Sequence, residues 1–479
     1  MEKLKGLQPE RVFRYFEEIC SIPHGSGDMN AISEYCVAFA EKHSLKAIRD
    51  EANNVIIFKD GTAGYENSEP VILQGHLDMV CQKTEKSDID FEKDGLDIYI
   101  DGDYVTANGT TLGADNGIAV AMVLSILESN TIPHPPIEAV FTTDEEIGML
   151  GAMKLRMDSL KGKKMINLDA EEPETLTVSC AGGSDFRMTI PVKREKSSGT
   201  MVEIILKGLK GGHSGIEINT GRVNADILAG RVLNCAKAVS DFKLIGVDGG
   251  DKPNAIPLYC SIKVVLKDSE KFVSGMKDCL ELIKKEISDR ESGFDYEIVT
   301  QDGEFDVMDA DAQEKLMFAL IGMPNGVMEM SYNIKDLVET SLNLGILKTE
   351  NDKITIHSAL RSNKQSALVF MEERMTAFAS YIGAEVETFG HYPPWEYKDN
   401  SPLQKMYIET YKDYFGFEPT VVAIHAGLEC GVFASQIKDF DCIAIGPQLS
   451  DVHTVNETLK ISSTKEIYEV LLELLKKCK

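Results

Sequence analysis

The sequence lacks any long apolar run. Its longest, residues 118–127, falls well short of the about 20 residues a helix needs to cross a bilayer. Residues 1–18 are polar and charged and lack the apolar stretch of a secretory signal. The ten cysteines (Cys20, Cys36, Cys81, Cys180, Cys235, Cys260, Cys279, Cys430, Cys442 and Cys478) include no C-x-x-C pair, so they read as reduced, mostly buried thiols. A cytoplasmic location is therefore expected. Positive charge is also scarce, with 50 Lys and Arg against 77 Asp and Glu and a net charge of −27. No nucleic acid and no anionic membrane is expected as a partner, because either would demand a basic face. Neither H-E-x-x-H nor G-x-S-x-G occurs. The ordinary role of so much acid is solubility, but carboxylates are also hard metal ligands, and their positions must decide.

What is present is a chain of 479 residues, 43% of them hydrophobic, enough for substantial cores in two or three domains. The first part alternates: a helix at 32–43, strands at 54–58 and 71–74, an apolar helix at 118–128, and strands at 137–142 and 164–168. Such alternation predicts an α/β fold whose mixed, mostly parallel sheet is flanked by helices. From about residue 183 the pattern changes to paired strands (186–192, 201–206, 257–266 and others) with helices at 224–239 and 270–288, an α+β character. The segment from His391 to Asn400 contains adjacent prolines and reads as a return linker. A helix at 402–415, strands at 420–424 and 442–445, and a helix at 463–477 resume the first pattern. An α+β domain at 185–392 is thus expected inside an α/β domain made of 1–184 and 393–479.

Acidic and histidine residues stand at or just beyond the predicted strand ends, where ligands gather in open α/β sheets. In Gly75-His76-Leu77-Asp78, strand alternation puts His76 and Asp78 on one side, and a metal-binding imidazole needs a carboxylate to orient it. A core histidine beside a solvated aspartate is the plainer alternative. Asp115, in Leu112-Gly-Ala-Asp-Asn-Gly117, could simply cap the apolar helix, yet a carboxylate can also bridge two cations. Asp144-Glu145-Glu146 places three like charges together, a cost that exposure or cations must relieve. Read as chemistry, Glu145 is a general base and Glu146 a metal ligand. Asp169 ends an apolar strand, and His453 precedes the last helix. Zinc commonly takes histidine nitrogen and carboxylate oxygen, with a position left for water in catalytic sites. In Gly208-Leu-Lys-Gly-Gly-His-Ser-Gly215 no Gly-Lys-Ser/Thr follows, which disfavours a phosphate loop and leaves His213 as a donor to a developing oxyanion.

Taken together, Gly75-His76-Leu77-Asp78, Leu112–Gly117, Thr143-Asp-Glu-Glu-Ile-Gly148, Asn167-Leu-Asp169, Gly212-His-Ser-Gly215, His425-Ala-Gly-Leu-Glu429 and Asp451-Val-His453 resemble the di-zinc aminoacylase/carnosinase-type metallopeptidases, in order and over nearly the whole chain. The resemblance implies hydrolysis of unblocked dipeptides, Xaa-His such as β-alanyl-histidine among them. It implies two divalent metal ions per subunit, Zn2+ first, with Mn2+ or Co2+ as alternatives. Asp115 would bridge them, His76 and Asp169 completing one site, Glu146 and His453 the other. Glu145 would be the acid/base and Asp78 would steer the first site. The peptide bond after Asp115 would be cis. The inserted domain would be a lid and a dimerisation domain of a homodimer, with His213 stabilising the oxyanion, in its own subunit or a partner's. Asn254 and Arg361 would hold the substrate carboxylate, and Gly427 would meet the substrate backbone. A turn and a surface ion pair are the ordinary alternatives for Asn254 and Arg361. Two other functions are compatible with the motifs: a deacylase acting on N-acyl amino acids, and a non-catalytic metal-dependent binding protein, which would have no need of an unliganded base at Glu145.

Overall fold

In the computed structural model, which describes residues 3–479, the chain divides into two units. The first comprises the described residues up to 180 together with 397–423 and 428–479, the second residues 181–396 and 424–427. Among the described residues no helix is long and apolar enough to cross a membrane. None of the ten cysteines is bridged, and seven are buried.

The first unit is built on an eight-stranded mixed sheet. Its order is Lys46–Arg49, Val55–Lys59, Ile137–Thr142, Val71–His76, Lys164–Asn167, Asp441–Ala444, Thr175–Cys180 and Thr420–Ile424. The four central strands, Ile137–Thr142 through Asp441–Ala444, pair in parallel. These strands are buried along nearly their whole length, as central strands covered by helices are. Their register sets His76 opposite Thr142 and Gln74 opposite Asn167, so three carboxyl ends finish at one edge.

The helix Ala114–Glu128 is apolar all round and buried along nearly its whole length, as such a helix must be. It packs on the helix Glu10–Cys20 and on the strand Val71–His76. Gly117 permits the first contact: a Cβ there would stand 3.4 Å from the Phe16 ring. Glu10–Cys20 falls largely in the stretch whose polarity dominates its composition, yet it buries Val12, Phe13, Phe16, Ile19 and Cys20, an i, i+3, i+4, i+7 stripe. A small four-stranded sheet orders Leu449–Ser450, Thr458–Lys460, Tyr104–Ala107 and Ile98–Asp101, and the hairpin loop between its first two strands carries His453.

The second unit contains a nine-stranded sheet. Its main path runs Asp295–Met308, Arg194–Lys207, Cys260–Leu266, Lys243–Gly249, Val338–Thr349, Lys353–Ser362, Gly182–Pro191 and Glu385–Tyr392, with Gly326–Met330 beside Val338–Thr349. Alternate residues face the core, Val202, Ile204 and Leu206 on one strand and Ile354 and Ile356 on another. There they meet Leu228, Val232, Phe272, Met276, Leu316, Leu368 and Met375 from the four helices Ala225–Val239, Ser269–Ile287, Ala310–Gly322 and Gln365–Tyr381. Asn224 starts the first of these by accepting hydrogen bonds from the Asp226 and Ile227 amides.

Candidate active site

Six of the sequence-predicted residues of the first unit follow from its strand ends and one hairpin. His76 ends the strand Val71–His76 and Asp78 lies two residues on. Glu145 and Glu146 follow Ile137–Thr142, Asp169 follows Lys164–Asn167, and His453 comes from the hairpin. The seventh, Asp115, lies at the start of Ala114–Glu128, where Asp115 and Asn116 depart from helical backbone angles and their peptide bond is cis. His453 and Asp144 take left-handed φ values of 62° and 53°, an uncommon state for such residues that clusters at functional sites.

The side chains converge. His76, Asp115 and Glu146 each offer an atom within 4.8 Å of the others. Nε2 of His76 lies 3.1 Å from Asp115 Oδ1 and 3.6 Å from Asp169 Oδ1. Nε2 of His453 lies 3.2 Å from the other Asp115 oxygen and 2.9 Å from Glu146 Oε2. One carboxylate thus presents an oxygen to each of two imidazoles. The orientation of His76 is fixed from behind, since its Nδ1 donates to the Asp78 carbonyl at 3.0 Å and leaves Nε2 for the carboxylates.

Among the described residues no Lys or Arg pairs with these acids. Their charge acts instead on the imidazoles. Burial opposes protonation of His76, but Asp169, Asp115 and Asp78 together push it well above the ordinary range. Hydrogen bonds to Asp115 and Glu146 push His453 up to about 11. Burial would raise Asp115, yet His453 and His76 hold it well below its usual value. Asp169 is lifted by burial to about 6. Each imidazole is held where positive charge is demanded between nitrogen and carboxylate oxygen, which is the demand a divalent cation meets. The donor set of two imidazoles and three carboxylates fits such ions.

Glu145 stands apart. Among the described residues its carboxyl has no hydrogen-bond partner, and burial, reinforced by Asp169, Glu429 and Glu146, raises it well above the ordinary range. Its backbone, by contrast, is clamped. Asp78 accepts the Glu145 amide at 3.0 Å on one oxygen, and the Glu146 amide at 3.2 Å and the Ser26 hydroxyl at 2.9 Å on the other. Asp78 therefore orients the turn carrying Glu145 and Glu146 as well as lying behind His76.

The remaining predicted residues fall in the second unit. His213 pairs with Ala255 in a two-stranded ladder, and the Ser214 amide donates to the Asn254 carbonyl at 2.9 Å. Nδ1 of His213 accepts from the Gly215 and Ile216 amides at 3.3 and 3.2 Å. Its proton is therefore on Nε2, free to be donated, and burial together with Arg361 makes the ring harder to charge. Arg361 donates through Nη1 to the Tyr392 hydroxyl at 3.0 Å, and among the described residues its buried Nε has no partner and no carboxylate pairs with it. It is not a surface ion pair. Gly427 closes the short segment 424–427 that belongs to this unit.

Residues 72–477 match peptidase family M20/M25/M40. The chain belongs to that family. It is 37% identical to a protein named cytosol non-specific dipeptidase from Escherichia coli (strain K12), over 99% of both chains. The crystal structure of aminoacylhistidine dipeptidase from Vibrio alginolyticus is similar at a TM-score of 0.89 and 38% identity, covering 99% of this chain and 98% of that one. Aminopeptidase PepT from Bacillus cereus, at a TM-score of 0.57 and 14% identity over 98% of this chain and 99% of that one, shares the fold.

Within this M20 peptidase, three supporting residues have roles that the sequence motifs did not assign. Glu457 is buried and accepts four consecutive amides, Leu112 at 2.7 Å, Gly113 at 3.1 Å, Ala114 at 2.9 Å and Asp115 at 3.3 Å. Asn116 accepts from the His76 amide at 3.1 Å and donates to the Leu168 carbonyl at 2.9 Å. Glu429, fully buried, takes Gln74 Nε2 at 2.5 Å and the Thr142 hydroxyl at 2.6 Å, and Gln74 in turn accepts from Asn167 at 2.6 Å. Asn116 and Glu429 lie inside motifs that the sequence displayed, but only tertiary pairing reveals what they hold. Glu457, four residues after His453, carried no signal at all.

Proposed function

We propose that this protein is a metal-dependent dipeptidase that hydrolyses unblocked dipeptides, Xaa-His among them. One observation carries the reading: Asp115 offers one oxygen to each of two imidazoles, while Glu145, next to Glu146 in sequence and clamped through its backbone by Asp78, keeps an unengaged carboxyl. The dipeptidase names of the Escherichia coli and Vibrio alginolyticus relatives support the substrate class.

In this reading two divalent ions, zinc by the donor set, would share Asp115, with His76 and Asp169 as the residues to hold one and Glu146 and His453 the other. When bound, such ions polarise the scissile carbonyl and make water acidic enough to attack near neutral pH. Glu145 takes the proton of the attacking water and delivers it to the departing amine. Asp78 keeps Glu145 and Glu146 in place through their backbone. His213, with its proton on Nε2, donates to the developing oxyanion, in its own subunit or in the partner of a homodimer. Arg361 and Asn254 take the substrate carboxylate, and the backbone at Gly427 meets the peptide. The same reading makes residues 185–392 a lid and places the enzyme in the cytoplasm.

The test is Glu145→Gln. Metal content, measured by elemental analysis, should be unchanged, while turnover of β-alanyl-histidine, Gly-His and Leu-Gly falls by about 10²–10⁴-fold, the usual contribution of a general base. Wild-type rates in that variant would remove Glu145 from its role. Preference of the parent enzyme for N-acetyl amino acids would make it a deacylase, and metal binding without any turnover would make it a binding protein.

A further inference from the structure

In the second unit, the strand Val338–Thr349 sends Leu342 and Leu344 into the core and turns Ser341 and Asn343 to the opposite face. Both polar side chains are buried, at 1% exposure each, so both require partners. Asn343 donates to the carbonyls of Pro253 at 3.1 Å and Ala255 at 2.8 Å, bracketing Asn254. Ser341 meets Nε2 of His425 at 2.7 Å, and Nδ1 of the same ring lies 3.1 Å from Asn363 Oδ1.

The tautomer follows. Asn363 uses its amide nitrogen to donate to the Ile424 carbonyl at 3.2 Å, so its oxygen accepts from His425 and Nδ1 carries the proton. Nε2 is then bare and takes the Ser341 hydroxyl. Burial, reinforced by Arg361 and His213, depresses the imidazole to about 3, so it stays neutral. Across the ladder Ser341 stands opposite Arg361, which puts the two side chains on one face. Arg361 is a half-buried guanidinium that, among the described residues, has no counter-ion and one buried N–H unsatisfied. An acid in the place of His425 would neutralise Arg361, and a cation would repel it. A neutral ring that also ties down Ser341 does neither, and leaves the guanidinium for an anion from outside.

We propose that His425 is a positioning residue which, through Ser341 and Asn363, keeps Arg361 unpaired and aligned, so that the site reads a free carboxyl terminus and rejects a neutral one. The inference rests on the reading of Arg361 as the carboxylate-binding residue. It goes further in assigning the discrimination to the chain Ser341–His425–Asn363.

The experiment compares Gly-His with its C-terminal amide on the metal-loaded enzyme and on His425→Asn, His425→Gln and Ser341→Ala. Asn reaches only the Nδ1 position, whereas the Gln amide oxygen reaches that of Nε2 and can still accept from Ser341. In His425→Asn and Ser341→Ala, KM for the free acid should rise about tenfold, the scale of one lost charge-assisted hydrogen bond, with kcat nearly unchanged and KM for the amide unmoved. His425→Gln should restore most of the preference. An unaltered acid-to-amide ratio in the first two variants, or a loss confined to kcat, would overturn the proposal. Calorimetric binding of the same two ligands in a Glu145→Gln background separates this from the catalytic reading. Acid preference that disappears in His425→Asn supports the positioning role even if no dipeptide is cleaved, and equal affinities in the parent refute it even if dipeptides are.

Discussion

Glu457 draws four consecutive amides, those of residues 112 to 115, onto one carboxylate. A helix start leaves its first amides without intrahelical partners, and here they point at a buried negative charge supplied from the hairpin that also carries His453. One residue therefore couples Asp115 to His453. Replacing it with Ala strands those amides away from water, each at a cost of about 1–3 kcal/mol. Glu457→Ala should lose at least about 3 kcal/mol of stability in urea unfolding and bind metal more weakly, whereas Glu457→Gln, which retains an acceptor oxygen, should lose less. Equal stability of the Ala variant would mean that water replaces the carboxylate and that the clamp is incidental.

At the scale of elements, Asn116 stitches the strand Val71–His76 to the segment after Lys164–Asn167. The fit is close: a Cβ on Gly75 would come within 2.4 Å of the Asn116 side-chain oxygen. Asn116→Ala should therefore cost about 1–3 kcal/mol, and competition with a chelator should show weaker metal retention, because His76 and Asp169 sit at the two ends it joins. Unchanged retention would leave Asn116 a purely structural link. The strand ends were legible in the sequence because apolar runs stopping at His76, Glu145 and Asp169 are local signals. Their convergence follows from parallel register, which sequence implies only through alternation of strands and helices. The helices Ala310–Gly322 and Gln365–Tyr381 and the strand Asp295–Met308 were not legible. That strand exposes most of its residues, and each helix buries only a narrow apolar stripe against the sheet. Glu429 and Glu457 were hidden for a different reason, since a buried acid looks like any surface acid until its donors are known.

For the whole molecule, stability has two separate levers, one in each unit. All the proposed metal ligands lie in the first, so bound metal stabilises that unit by linkage, about 2.7 kcal/mol at a hundredfold excess over Kd. In the second, Asp226 is buried with the weakly donating Cys260 thiol beside its carboxyl, and burial pushes it up to about 8. Its unfolded value is near about 3.9, so the folded state holds the proton more tightly. Its contribution is complete below that unfolded value and is lost as pH rises toward 8, by about 1.4 kcal/mol per unit. Scanning calorimetry should accordingly resolve a transition that a chelator lowers at any pH. A second transition should be indifferent to the chelator and fall between pH 5 and 8. Asp226→Asn should flatten the second and leave the first alone. A single transition that moves as one body under both treatments would mean that the units do not unfold independently, and a second transition whose pH dependence survives in Asp226→Asn would place the responsible group elsewhere.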